Sequence, residues 1–100
     1  MRELRYCFRA LSDASRFRIV HELADRDEMK VSDLARLVRV SQPLLSWHLR
    51  KLRRAGLIIT RRDGRQVFCS LNRAQLRLCE IALSKLAGPA ALAEWSDTVS

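Results

Sequence analysis

Glycine is nearly missing from this chain of 100 residues. There are three, Gly56, Gly64 and Gly88, and each punctuates a boundary between longer segments. No glycine-rich loop is therefore present to cradle a nucleotide phosphate. The six aromatic residues are scattered, which argues against the aromatic sheet surface that reads single-stranded RNA. No apolar run approaches the ~18 residues a membrane span needs. Met1-Arg2-Glu3-Leu4-Arg5 leads into no signal-peptide core, so a cytoplasmic protein with no membrane partner is expected. Three cysteines cannot all pair within one chain, and a reducing compartment leaves them as thiols, so a disulfide scaffold is not expected. No Ser/His/Asp set, paired carboxylates or metal-ligand cluster stands out, so neither an enzyme nor a bound cofactor is expected. The length is that of a single domain, 1–100. With 48% apolar and 30% charged residues, the composition is that of a globular chain.

What the chain does have is arginine. Sixteen of its 19 basic residues are Arg, against 11 acids, for a formal charge of +8 and a pI near 10.7. Arg offers phosphate a planar fork of donors, and a surface rich in it suits a polyanionic partner. The charge is concentrated. Arg50, Lys51, Arg53, Arg54, Arg61, Arg62 and Arg65 face one acid, Asp63, so this window carries +6 of the +8. Asp25 to Asp33 carries four acids and two bases instead. A charge run is ordinarily a solvated face. This one spans a helix end and an expected hairpin, two elements presenting it together, which favours nucleic acid.

Leu4, Cys7, Phe8 and Leu11 recur at helical spacing and predict a short first helix, about 3–11. Ser12 and Asp13 offer an N-cap to a second, with Phe17, Val20, Leu23 and Ala24 as its apolar stripe. The polar stretch Asp25 to Lys30 ends it. Ser32 is the expected cap of a short third helix with Leu34, Leu37 and Val38 inward. Ser41 then caps a fourth, with Val40 packing on Leu45 as a hydrophobic staple. Pro43 lies in its first turn, where a missing N–H costs little. That helix runs to about Arg54, and Gly56 ends it in the left-handed conformation. Two short helices on a tight turn, about 32–55, outline a helix-turn-helix.

Two β-branched runs follow, Leu57-Ile58-Ile59-Thr60 and Gln66-Val67-Phe68-Cys69-Ser70-Leu71, with Asp63-Gly64 between them. Asp-Gly suits a tight hairpin turn, so a wing is expected at about 57–71 with Arg61, Arg62, Asp63, Gly64 and Arg65 at its tip. Asn72 caps a last helix, about 72–87. Gly88-Pro89 interrupts it, leaving 88–100 as a tail or a short helix around Ala90–Trp95. The expected fold is mainly α with a β-hairpin wing, in the order α-α-α-α-β-β-α.

On a helical wheel starting at Leu45, Leu49 and Leu52 fall within about 40° of it and form the buried stripe, with His48 on its edge. Ser46, Arg50, Pro43, Arg54 and Trp47 lie opposite, between about 100° and 200°. Gln42 and Ser41 stand at the end that would enter a groove first. Arg and Gln can bind guanine and adenine edges with two hydrogen bonds each, and the N–H groups at the Ser41 end can hold a phosphate. An ordinary amphipathic surface helix is the plainer alternative, but a solvent-facing Trp47 argues against it.

Several of these segments together carry a family resemblance. Ala10-Leu11-Ser12-Asp13-Ala14-Ser15-Arg16-Phe17-Arg18-Ile19 resembles the opening segment of ArsR/SmtB-type winged-helix repressors, with Ala14-Ser15 standing where Pro-Thr is usual. Val31-Ser32-Asp33-Leu34-Ala35 resembles their third helix. The segment from Ser41 to Ile58, with Ser46, His48, Leu49, Leu52 and Ala55-Gly56-Leu57 in place, is similar to their recognition segment. Arg61 to Leu71 resembles their wing. The likeness spans roughly residues 8 to 72.

It implies a homodimer on double-stranded DNA, most simply a repressor on a pseudo-palindromic operator. Ser41, Gln42, Pro43, Ser46, Trp47, Arg50 and Arg54 would enter the major groove, and Arg61, Arg62 and Arg65 of the wing would touch backbone or minor groove. It also implies dimerisation through the first and last helices, with Leu4, Phe8, Leu76, Cys79, Leu83 and Leu86 at the interface. The wide apolar surface of the last helix agrees independently, since one small domain cannot cover it.

Many relatives sense metals. Where they carry Cys-Val-Cys at the start of the third helix, this chain has Lys30-Val31-Ser32. A second family site needs histidines on and after the last helix, and none follows His48. The resemblance therefore implies no metal site. Cys7 and Cys79 remain, on the two helices expected to meet. They are either small buried apolar residues or a thiol pair acting as a sensor, with Arg5, Arg9 and Arg77 expected to lower a thiol pKa. Cys69, on a wing strand, is expected to be packed. The competing reading is a winged-helix protein-interaction module without specific DNA binding.

Overall fold

The structure, a computed structural model, describes residues 2–88, apart from the side chain of Glu3. The short helix weighed for Ala90–Trp95 lies outside the described residues. The elements are α1 (Arg2–Leu11), α2 (Ala14–Ala24), β1 (Met29–Lys30), α3 (Val31–Val38), α4 (Gln42–Arg54), β2 (Ile58–Asp63), β3 (Gln66–Leu71) and α5 (Arg73–Ala87). The winged helix-turn-helix expected from the sequence is present, with one strand more than anticipated.

Asp13 starts α2. Its Oδ1 accepts from the backbone N–H groups of Ser15, at 2.8 Å, and Arg16, at 3.1 Å, satisfying donors that an N-terminus otherwise leaves unpaired. Those bonds, that from Arg16 foremost, hold its carboxyl below the usual carboxylate value. The inward stripe of α2 is Arg16, Ile19 and Leu23. The expected stripe shared Leu23 and the half-buried Val20, but Phe17 is 58% exposed and Ala24 also faces out. The buried Arg16 takes a core position that an apolar pattern assigns to solvent, and this turns the helix.

Met29 and Lys30 form β1, antiparallel to β3, opposite Cys69 and Phe68. The chain passes straight from this strand into α3, so the N-cap is Lys30 and not Ser32, which lies inside the first turn. Leu34, Ala35 and Val38 are buried, while Leu37 is half-buried. At the far end Arg39 has φ 57° and ψ 49°, and Val40 N–H donates to the Ala35 carbonyl at 3.2 Å. The left-handed region costs a residue with a Cβ about 1–2 kcal/mol. Arg39→Gly is therefore expected to stabilise the protein by about 0.5–1 kcal/mol, after the larger entropy of an unfolded glycine is counted. The check is a higher urea midpoint at unchanged slope.

Ser41 Oγ accepts from Leu44 N–H at 3.3 Å, starting α4. Its end is a Schellman turn: Leu57 N–H donates to the Leu52 carbonyl at 3.0 Å and Gly56 N–H to that of Arg53 at 2.9 Å, with Gly56 at φ +77°. The sheet order is β1-β3-β2. The hairpin register runs from Ile58 opposite Leu71 to Asp63 opposite Gln66. The turn pair is therefore Gly64-Arg65, not Asp63-Gly64, and only Gly64 has positive φ, +62°, the pattern of a type II′ turn. Arg61 and Arg62 are ladder residues as a result. Asn72 caps α5 by accepting from Gln75 N–H at 3.3 Å. Arg73 bonds the carbonyls of Ala24, at 2.9 Å, and Arg26, at 3.2 Å, tying α5 to the end of α2.

Ile19, Leu23, Leu34, Leu45, Leu52, Leu57 and Cys69 are fully buried where the helices meet the sheet. From α1 the core takes Leu4, Cys7 and Ala10, whereas Phe8 is half-exposed. From α5 it takes the buried Cys79, with the half-buried Leu76 and Ala82 packed against it, while Leu78, Ile81, Leu83 and Leu86 stand in solvent.

Candidate nucleic-acid interface

The amphipathic division of α4 is sharp. Leu45, His48, Leu49 and Leu52 are buried, and Ser41, Gln42, Pro43, Ser46, Trp47, Arg50 and Arg54 are all exposed. These seven are the recognition-helix residues singled out in the sequence. Gln42 and Ser46 line an open groove of about 270 Å³ together with Arg65 of the wing, Lys30 and Ser32. The exposed face of the helix and the tip of the hairpin thus form one surface. Arg53 Nη1 donates to Thr60 Oγ1 at 3.3 Å, joining the end of α4 to β2.

The three wing arginines are not equivalent. Arg62 and Arg65 are exposed. Arg61 is forked on Glu28, Nε to Oε2 at 3.0 Å and Nη2 to Oε1 at 2.6 Å, and its guanidinium lies 4.4 Å from the Phe68 ring centroid. The Glu28 carboxyl is lowered by this hydrogen bond, and the Arg61 guanidinium correspondingly raised. Glu28 is a residue the sequence reading did not single out. The two partners lie 33 positions apart, and nothing local in the sequence marks the pair.

Arg16 is the other residue missed. Its guanidinium is buried, with Nε donating to the Ala10 carbonyl at 2.7 Å and Nη1 lying 3.3 Å from His48 Nδ1. An arginine has only donors, so His48 Nδ1 must accept and its proton must sit on Nε2. His48, placed by the sequence on the edge of the buried stripe, is thus buried and hydrogen-bonded there. Burial lowers its pKa, the Arg16 charge lowers it further, and Asp13 pulls the other way. Trp47 lies edge-on to His48 at 5.2 Å between ring centroids, with Lys51 Nζ 5.1 Å and the Arg16 guanidinium 5.6 Å from its own centroid. One buried arginine therefore connects the end of α1, the start of α2 and the middle of α4. A signal existed in the sequence, since Arg16, Ile19 and Leu23 recur at i, i+3 and i+7.

Cys7 and Cys79 do come together where α1 packs on α5, and both are buried. Burial foremost, then the hydrogen bond and charge of Cys79, push the Cys7 thiol up to about 12. The expectation that Arg5, Arg9 and Arg77 lower a thiol pKa is thus reversed, because desolvation outweighs exposed charges that water screens. Cys69 is fully buried, and burial pushes its thiol up to about 11, as a packed residue requires. Among the described residues no three of His, Cys, Asp and Glu are grouped as metal ligands, and no helix is long and apolar enough to cross a membrane.

A capped recognition helix on a tight helix-turn-helix, joined to an arginine-tipped hairpin, defines the class of winged helix-turn-helix proteins. Within that class the chain belongs to the ArsR family of bacterial regulatory proteins, whose model matches residues 13–60. It is 47% identical over 70 residues to the HTH-type transcriptional regulator KmtR of Mycobacterium tuberculosis, covering 70% of this chain and 53% of that one. It is 36% identical over 72 residues to the arsenical resistance operon repressor of Bacillus subtilis, covering 72% and 69%. An ArsR-like transcriptional regulator from Rhodococcus sp. RHA1 superposes with a TM-score of 0.75 at 31% identity, covering 97% of this chain and 86% of that one. The chain spans about half the length of several curated relatives it matches.

Proposed function

We propose that this protein is a dimeric, sequence-specific DNA-binding regulator, acting as a repressor on a pseudo-palindromic operator in the cytoplasm, and not an enzyme. The observation that carries the reading is the shared groove of Gln42, Ser46 and Arg65. It allows one duplex to meet the recognition helix through its base edges and the wing through its backbone. Gln42 and Arg50 are the base-reading residues, with Ser41, Pro43, Ser46, Trp47 and Arg54 shaping the rest of the contact. Arg62 and Arg65 meet phosphate, and Arg61 sets the wing through Glu28. Names of relatives, such as transcriptional regulator and operon repressor, support the same reading.

A second copy of the chain is the partner that would cover the apolar side chains left in solvent on α1 and α5. Phe8, Leu83 and Leu86 belong to the interface inferred from the sequence, and Leu78 and Ile81 join them. Leu4, Leu76 and Cys79 support that interface from behind, since they pack into the core of their own chain.

Adjacent thiols make Cys7 and Cys79 the candidate sensor. Their oxidation would form one S–S bond and pass two electrons and two protons to an added disulfide oxidant. Because burial keeps Cys7 protonated, reaction would wait on loosening of α1 against α5. The test is a titration of reduced protein with labelled DNA from upstream of its own gene, under excess random-sequence competitor, repeated after the oxidant. Competitor-resistant binding is the expected result, and none in either state would sink the repressor reading. Release on oxidation, abolished in Cys7→Ser, would make the pair a switch. Unchanged binding would leave a regulator whose cysteines only fill the core.

A further inference from the structure

Resting on the DNA-binding reading, we propose that α1 carries an additional stretch of the interface: Arg2, Arg5 and Arg9 hold the phosphate backbone of the duplex alongside the groove that α4 enters.

The faces of α1 are chemically distinct. On a wheel starting at Leu4, Arg5, Arg9 and Arg2 fall at about 100°, 140° and 160°. The buried Leu4, Cys7 and Ala10 occupy the opposite arc, and Phe8 lies at about 40°, on the edge assigned to the second subunit. The arginine stripe is exposed and separate from both. From Arg2 to Arg9 it extends along about 10 Å of helix, enough for two or three successive phosphates at ~3.4 Å of axial rise each.

The stripe is continuous with the recognition helix. Arg2, Arg5, Tyr6 and Arg9 line one open hollow. Tyr6 and Arg9 also line the next, whose far wall is Lys51 and Arg54 of α4. Among the described residues no carboxylate lines either hollow. A row of cations whose hollows, among the described residues, are lined by no carboxylate, and which ends at the last turns of α4, matches a phosphate chain in charge and shape. The arginines are not there to activate the neighbouring thiol, which burial keeps protonated.

The experiment measures binding of the full chain to a random-sequence duplex across a salt series. Arg5→Gln with Arg9→Gln is compared with Arg26→Gln with Arg77→Gln, an equal charge loss elsewhere on the surface, after thermal melts confirm that both variants are folded. The α1 pair is expected to flatten the slope of log affinity against log salt by about 0.9 for each phosphate no longer neutralised, roughly two units per protomer, and the control pair by less than half of that. Equal flattening by both pairs, or none by either, would overturn the proposal. So would displacement of the duplex by inorganic phosphate at matched ionic strength in the unmutated protein alone, which would mark a small-anion site. If the unmutated protein keeps competitor-resistant operator binding while the α1 pair changes nothing, only this proposal falls. If it binds no duplex at any salt, the DNA-binding reading falls as well.

Discussion

Replacing Arg16 by alanine is expected to lower the unfolding free energy by about 2–6 kcal/mol, because two acceptors inside the protein lose their donor and each costs about 1–3 kcal/mol when left unpaired. Those acceptors are the Ala10 carbonyl and His48 Nδ1. Arg16→Lys should recover only part of the loss, since an ammonium is a point donor and cannot fork across both. The urea midpoint reads both effects, and an unaltered midpoint in Arg16→Ala would show that the two hydrogen bonds are incidental. A pH dependence accompanies them. The folded state favours neutral His48, its pKa lying below the ordinary 6.5 through burial first and the Arg16 charge second. Stability from this group is complete above pH 6.5 and is lost as pH falls through the lower folded pKa, because the unfolded chain then binds the proton more readily. Asp13 and Glu28 are themselves depressed below ordinary values of 3.8 and 4.5, so their losses come in more acid solution. His48→Gln should remove the step nearer neutrality and leave the acid one.

The second large effect divides helix from wing. Gln42→Ala or Arg50→Ala should cost about 1–3 kcal/mol of discrimination against the wrong base for each bidentate pair that is broken, twice over in a symmetric dimer. Affinity for random DNA should change little. Arg62→Ala or Arg65→Ala should weaken every duplex alike and flatten the salt slope by about one unit per phosphate. Competition binding with single-base operator variants separates the two patterns. Wing variants that changed base preference while helix variants did not would reverse the roles.

Most of the helix-turn-helix was legible because its signals are local. Ser41 caps α4, Leu45, Leu49 and Leu52 repeat at helical spacing, and Gly56 takes the positive φ that ends the helix. What escaped is held together by residues distant in the chain. A strand of two residues has no period to detect, and Met29–Lys30 is a strand only because Cys69 and Phe68 pair with it. Ser32 has the chemistry of a cap, but the incoming strand sets the helix start at Val31 and leaves Lys30 in the cap position. The phase of α2 was misread at Phe17 because a pattern of apolar residues cannot announce that the inward residue is Arg16. Glu28 looked like one acid among several until the fold brought Arg61 onto it.

That meeting point has a mechanical consequence. In the hairpin register Arg61 stands opposite Phe68, the residue that also pairs with Lys30 of β1. The backbone pairing, the Glu28 fork and the guanidinium over the Phe68 ring thus all act at one rung. The wing is a cantilever bolted at that rung, with two further rungs and the turn projecting beyond it, a free beam of about 7 Å of ladder. A beam this short is expected to bend little, which would hold Arg65 at a nearly constant reach from Gln42. A duplex touching both, as proposed, would be measured against a stiff caliper. Sequences whose groove must be squeezed or opened to fit would spend elastic energy that others do not, and would be selected against without a single base being read.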